Sequence, residues 1–486
     1  MLSYLPNRPD EVLEALRHGE IVSLEEASEQ LPDLFLIYAI ESGLLDQLST
    51  AFPDPRTQQP EIPLRILLAA GIVGHFAGLY ALSVLPYALH SARLLRELGV
   101  QVCVNQPGRG ISRRGTQEQA PFHGDVLRKL LEQIARQDKA QKRLPGQTLI
   151  DWFNQSVGAL FCRAIDATPC VHILDCTDIT VPLDNDRYQH SGVTSRQDKL
   201  GAAKTYERGY KLGTLRSLLD EGAVTTAIAW DSIERHDTLV THDLVRQTPH
   251  LHPGDLLLED RGFLDAATIT HLKKDRGVDV YTGLKSDMVL MRGAAAQAQG
   301  RPGAWRPHPT RKGQQIQLVT GLGGLWEGLE VPMNVCVVRF KDTQTGQDRH
   351  IGFATTDLSA SAQQIIKTYQ TRPEIEEDYR QLKSASWSLE QFATTRLVQI
   401  LWHVILTLLA YNLFEVYANT QEGRRFAGKT KQRIEREQRL NPASYLLVCT
   451  TTAFGLFPTS DLLYIMLDLP EDVRQRIRTM LVQPKE

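Results

Sequence analysis

Three acids in this chain of 486 residues stand out by position rather than by abundance. Asp175 sits inside the apolar, β-rich run from Val171 to Leu183, where an ionised carboxylate is costly unless it is paired or bound to a cation. Asp260 follows the short run Leu256-Leu257-Leu258-Glu259, at a strand end of the kind where α/β sheets bind ligands. Glu376 lies on a helical stretch. At ~100° per residue, Lys383 falls within about 20° of Glu376, and Arg380 falls on the same side. Continued backwards, the stripe brings Tyr369 and Arg372 within roughly 60° of that line, with Pro373 as a helix start or kink. Converging carboxylates can hold two divalent cations, which activate an attacking oxygen and stabilise the leaving oxygen of a phosphodiester. Beside them, Arg offers a fork to phosphate, Lys a point charge and Tyr a hydroxyl or a stacking ring. Each piece alone is common. A strand Asp is more often structural, Glu376 has Glu374, Glu377 and Asp378 as surface company, and Asp178 and Glu259 could stand in for their neighbours.

The combination is more specific. The stretch Tyr369-Gln-Thr-Arg372-Pro-Glu-Ile-Glu376-Glu-Asp-Tyr-Arg-Gln-Leu-Lys383 resembles the Y-x2-R-x3-E-x6-K signature of the IS4-family DDE transposases at all four positions. Asp175-Cys176-Thr177 resembles that family's first acid in its D-x-T setting, and Asp260-Arg261-Gly262-Phe263 its second in a D-R-G-[FY] setting. The resemblance covers residues 170–420. Pro373 departs from the family pattern, where an aromatic often follows the Arg. The resemblance implies an RNase H-like α/β fold, a mixed sheet flanked by helices, with a β-rich insertion between the second Asp and the Glu. It implies that Asp175, Asp260 and Glu376 bind two Mg²⁺ ions, with Mn²⁺ able to substitute. Tyr369, Arg372 and Lys383, with Arg380 and Arg261 beside them, would contact DNA. The activity implied is cleavage of the ends of an insertion sequence and joining of the freed 3′-OH to target DNA. Some members close a hairpin on the excised end, which a base flipped onto an aromatic ring assists. Trp305 and Trp326 are candidates for that ring, although core packing explains either equally well. The partners implied are double-stranded DNA, as terminal inverted repeats and target, and a second copy of the chain. Two other readings remain open: a domesticated relative that binds DNA without cutting it, and an RNase H-like structure-selective nuclease.

The elements that must position these residues follow from periodicity. Residues 1–165 read as a helical region, with DNA-end binding as its expected role. The catalytic core spans 166–284, where strands at 171–183, 210–219 and 223–230 precede a strand, helix and strand ending near Gly283. Residues 285–350 read as the β-rich insertion, opening with a low-complexity Ala/Gln/Gly loop from Gly293 to Gly300. The core resumes over 351–420, and 421–486 read as a helical C-terminal region for DNA contact or dimerisation.

Composition at first sight opposes a DNA partner. There are 54 Lys and Arg against 57 Asp and Glu, a formal charge of −3. Residues 1–60, however, hold three Arg against eleven acids, which leaves +5 for the rest. Basic clusters fall at 101–150 (including Arg109, Arg113, Arg114, Lys139, Lys142 and Arg143) and at 421–440. The six cysteines have no C-x-x-C pair, which suits free thiols in a reducing cytoplasm and a nucleoid-associated, bacterial-type protein. Two apolar stretches, Ile66 to Leu89 and Leu401 to Tyr417, read as buried core helices rather than membrane spans. His236, His242, His250 and His252 match no standard zinc spacing.

Overall fold

The computed structural model describes the chain except residues 1–7, 29–30, 58–59, 61, 90–93, 95–96, 99–121, 165–167, 169, 197–203, 220–221, 344, 441–443 and 483–486. Arg109, Arg113 and Arg114 of the first basic cluster therefore lie outside the described residues. Along the chain the described strands are β1 (Ser23–Ser28), β2 (Val171–Val181), β3 (Gly192–Arg196), β4 (Thr205–Leu218) and β5 (Ala223–Ser232). Then come β6 (Leu256–Glu259), β7 (Asp279–Leu284), β8 (Arg306–Pro307) and β9 (Gln315–Leu322). The last are β10 (Met333–Lys341), β11 (Asp348–Thr355), β12 (Ser444–Cys449) and β13 (Phe454–Pro458). Two compact units result. One holds residues 1–148, 385–394 and 398–486, the other 149–384 and 395–397.

The second unit is built on one ten-stranded sheet. Its long strand β4 pairs antiparallel with β2 along one edge, and with β3 and β5 along the other. Strand β2 then runs parallel to β6, and β6 parallel to β7. Parallel neighbours need a crossover, and helices Asp237–Gln247 and Ala266–Lys274 supply it. Three strands in antiparallel succession followed by two parallel ones, in the order β5-β4-β2-β6-β7, is the RNase H-like arrangement. The strands of the insertion do not form a separate body. Strands β11, β10, β9 and β8 continue the same sheet beyond β7, and one apolar core runs from Leu174, Leu215 and Leu257 through Val280 to Val335 and Val337.

Residues 293–300 form no loop, contrary to the expectation. They belong to helix Val289–Gln299 and its C-terminal cap, and that helix buries Leu290, Met291, Ala294 and Ala298 on one face. The spacing of those four is helical, and alanine loses least on entering a helix, so a compositionally simple segment folds well against a sheet.

The first unit is mainly helical but not wholly so. Strands β1, β12 and β13 form a three-stranded sheet covered by Pro9–Arg17, Thr459–Leu467 and Glu471–Val482. The helical reading of 1–165 and 421–486 left these three strands out. Short apolar runs such as Leu446-Leu447-Val448 fit strand and helix alike, and β1 pairs with a strand more than 400 residues away, which no local pattern reveals. Helix Leu397–Ala418 is long and apolar enough to cross a membrane, yet its most apolar window is entirely buried. The other apolar stretch is broken into helix Leu64–Phe76 and a 3₁₀ turn at Leu85–Leu89. Gly71 and Gly74 on that helix face Leu406 and Leu85 so closely that a Cβ would clash.

Candidate active site

Asp175 lies in the middle of β2, opposite Thr214 of β4. Asp260 follows the last residue of β6, where Glu259 is in register with Leu174, so parallel pairing carries the two acids to neighbouring strands at one end of the sheet. Only 8% of Asp175 is exposed. Burial pushes its carboxyl up to about 6, helped by the charges of Asp260 and Glu376, and opposed by the Cys176 amide N–H and the Arg372 guanidinium. The Cys176 N–H donates to Oδ1 of Asp175 at 2.8 Å.

Glu376 arrives from the other side. Helix Ala362–Tyr369 begins with a reciprocal cap between Ser361 and Gln364 and ends at Tyr369, and helix Glu374–Leu382 starts after Pro373. The stretch from Tyr369 to Lys383 thus breaks where Pro373 marked a helix start, into two helices joined by a tight turn in which the Arg372 N–H donates to the Tyr369 carbonyl and the Ile375 N–H to that of Arg372. Convergence does not need one continuous helix, because the turn itself brings Tyr369 and Arg372 to the acids.

Arg372 is the electrostatic centre. Its Nη1 donates to Oε1 of Glu376 at 2.7 Å, and its Nη2 lies 3.8 Å from Oδ2 of Asp175. Burial disfavours its charge, but Asp260, Asp175, Tyr369 and Glu376 outweigh that and hold its pKa above the ordinary value. Its Nε has no hydrogen-bond partner. Tyr369 is pushed up to about 12, first by burial and then by Asp260. Its hydroxyl lies so close to Gly283 that a Cβ there would sit 3.1 Å away, which makes glycine the residue that fits at the end of β7.

Lys383 ends the second helix and donates from Nζ to the Asp178 carbonyl at 2.5 Å. Asp178 itself is engaged by Arg196 and by Lys211 at 2.9 Å, and Lys211 also meets Asp237. This polar cluster beside β2 was not legible as a unit, although two cations, Lys211 and Arg216, inside the apolar run of β4 were a visible signal. Arg216 is 1% exposed and pairs through Nε with Asp378 at 2.7 Å. With the contact of 2.6 Å between the Thr214 and Tyr379 hydroxyls, it fastens the Glu376 helix to β4.

Not every candidate converges. Arg380 is exposed and paired with Glu377. Arg261 is exposed beside Asp260. Trp326 is partly buried against the core. Trp305 is buried in that core, with the Arg339 guanidinium 4.4 Å from its ring centroid, so the expectation that it receives a flipped base is corrected: its face is already covered. Glu259 is pushed up to about 8 by burial, so it is uncharged at neutral pH and a poor substitute for Asp260. The histidines serve backbone groups: the His236 ring accepts from the Thr238 N–H, His242 meets the Phe263 carbonyl and His250 that of Asn154.

The donor set suits a hard divalent cation, since it offers carboxylate oxygens only, one of them buried at an electrostatic cost that a cation would relieve. Among the described residues no three His, Cys, Asp or Glu side chains are drawn together tightly enough to hold an ion. Glu376, 62% exposed, meets Arg372 instead, and Arg372 supplies the positive charge.

A family model described as "Transposase DDE domain" matches residues 166–413, just over half of the chain. No curated protein matches it.

Proposed function

The chain belongs to the DDE-domain transposase family, and on that premise we propose that it cuts the ends of its own insertion sequence and joins the 3′-OH ends to target DNA. Family membership makes it a DNA-cleaving and DNA-transferring enzyme. The finer reading takes it as an IS4-type member with Asp175, Asp260 and Glu376 as the catalytic acids. The observation that carries this reading is that Arg372 meets both Asp175 and Glu376 and feels the charge of Asp260.

Asp175, Asp260 and Glu376 would hold Mg²⁺, which when bound activates the attacking oxygen and stabilises the leaving oxygen of the phosphodiester. Arg372 balances the acids' mutual repulsion before DNA arrives, and its fork offers two parallel N–H groups to a phosphate once Glu376 turns away. Lys383, held beside β2 by its bond to the Asp178 carbonyl, brings a compact positive charge to a backbone phosphate. Tyr369, packed between Gly283 and Phe353, orients the turn that carries Arg372. The first unit is assigned to recognition of the element end, and the active complex to a homodimer.

The test uses the DNA that brackets the gene. Incubated with Mg²⁺ and a target plasmid, purified protein should yield joined products in which the terminal 3′ ends are covalently attached. Nicking without any joined product would support the nuclease reading, and binding without nicking the domesticated one.

A further inference from the structure

In the first unit, which holds none of the three acids, two buried histidines meet in a way that their protons cannot satisfy. Nδ1 of His75 lies 2.7 Å from the Gly71 carbonyl oxygen, and Nε2 of His403 lies 3.0 Å from that of Ser388. Carbonyls only accept, so both nitrogens must carry hydrogen. A neutral imidazole has one N–H, and the remaining nitrogens, Nε2 of His75 and Nδ1 of His403, face each other at 3.1 Å as two acceptors. Turning either ring over replaces a nitrogen at a carbonyl with a C–H, so no neutral arrangement makes all three hydrogen bonds. One added proton between the rings completes them, and it makes the pair a buried cation.

The pair lines a cavity of about 220 Å³ together with Tyr80, Ser83, Gln399 and Trp402. Arg128 also lines it, held by Asp125 and Glu132 of its own helix. No Asp or Glu is among the lining residues. Trp402 is 1% exposed, and its indole N–H is closed off from solvent, with no hydrogen-bond partner among the described residues. The other charged groups near the pair are Lys431, whose Nζ donates to the Phe76 and Ser386 carbonyls, and Glu435, 3.8 Å from Lys431. The ring of Tyr80 packs against both imidazoles. The wall of this cavity thus carries a guanidinium, that of Arg128, and a pair of rings lacking one proton.

We propose that this cavity is a proton-coupled oxyanion site: a small oxyanion enters it, and the His75–His403 pair takes up one proton as it binds. Burial disfavours the charged form of both rings, and at His75 the neighbouring His403 and Lys431 add to it. An anion supplies the missing counter-charge, the proton comes from solvent, and no bond other than N–H is made. The oxyanion is a free ion or a phosphodiester of DNA.

Sulfate is the probe, because it does not titrate near neutral pH and so contributes no protons of its own. Titration calorimetry of the full chain at pH 7, in two buffers of different ionisation heat, should show sulfate binding with uptake of about one proton. His403→Asn should abolish the proton uptake. Sulfate binding lost in the presence of saturating duplex DNA assigns the site to a DNA phosphate, and binding that persists assigns it to a free ion. Either result requires the site. No sulfate binding, binding without proton uptake, or uptake unchanged in a folded His403→Asn protein overturns the proposal.

Discussion

At the scale of single residues, Asp175 is a buried carboxyl at the candidate site. Its carboxyl is raised to about 6 by burial and by Asp260 and Glu376, so the folded state favours the protonated form. A raised carboxyl contributes its stability below the unfolded pKa, near 4, and loses it as the pH rises through the folded value. Ionised Asp175 therefore costs on the order of 3 kcal/mol at pH 7 and above. Asp175→Asn should melt higher than the wild type at pH about 8, with the advantage fading towards pH about 4, while cleavage is lost. A variant that melts lower at the alkaline end would show that Arg372 and Cys176 more than compensate the burial. Cation binding needs the carboxylate, so affinity for Mn²⁺ should fall as the pH drops through about 6. The positions of Asp175, Asp260 and Glu376 were legible because an acid in or at the end of an apolar strand, and a fixed helical spacing, leave local marks. The central place of Arg372 was not, because a helix start at Pro373 does not tell which way the turn before it aims the guanidinium.

At the scale of elements, the site depends on how the Glu376 helix is fastened to β4. Arg216 holds Asp378, and it also donates to the Thr225 hydroxyl at 3.0 Å and the Ala223 carbonyl at 2.7 Å. Removing one partner of a buried ion pair strands the other. Arg216→Met should thus cost roughly 3–5 kcal/mol in urea unfolding. Replacing both partners, Arg216→Met with Asp378→Leu, should recover most of that loss. A single variant as stable as the wild type would mean that Tyr379 and Thr214 suffice to hold the helix. The strands around β2 were readable from the sequence by their β-branched, apolar runs and by the turn at Gly222, whose φ of +83° suits glycine. Helix Val289–Gln299 was hidden by its composition, and β1 with β12 by the distance between their sequences. Local patterns reveal elements whose partners are near, and conceal those stabilised from afar.

At the scale of the whole molecule, the near-neutral charge is an average over unlike regions. The acidic residues 1–60 are not a detachable head. Phe35, Leu36, Leu45, Leu48 and Phe52 are buried, so deleting this segment would remove core. Neutralising exposed acids is the sound test of its electrostatic role. Asp10→Asn, Glu14→Gln, Glu20→Gln and Asp46→Asn together should raise non-specific DNA affinity at low salt, with the difference vanishing as salt screens it. Unchanged affinity at low salt would deny these acids any part in restraining DNA. The basic cluster at 421–440 is likewise less open than its count suggests, because Lys431 is buried and Lys429 and Arg433 both pair with Glu437. The most direct test is Mg²⁺-dependent cleavage of the element's terminal DNA by the wild type beside Asp175→Asn, Asp260→Asn and Glu376→Gln, each verified as folded. Cleavage by the wild type and none by any of the three is the expected result, whereas full cleavage by any one of them would contradict the assignment of the catalytic acids.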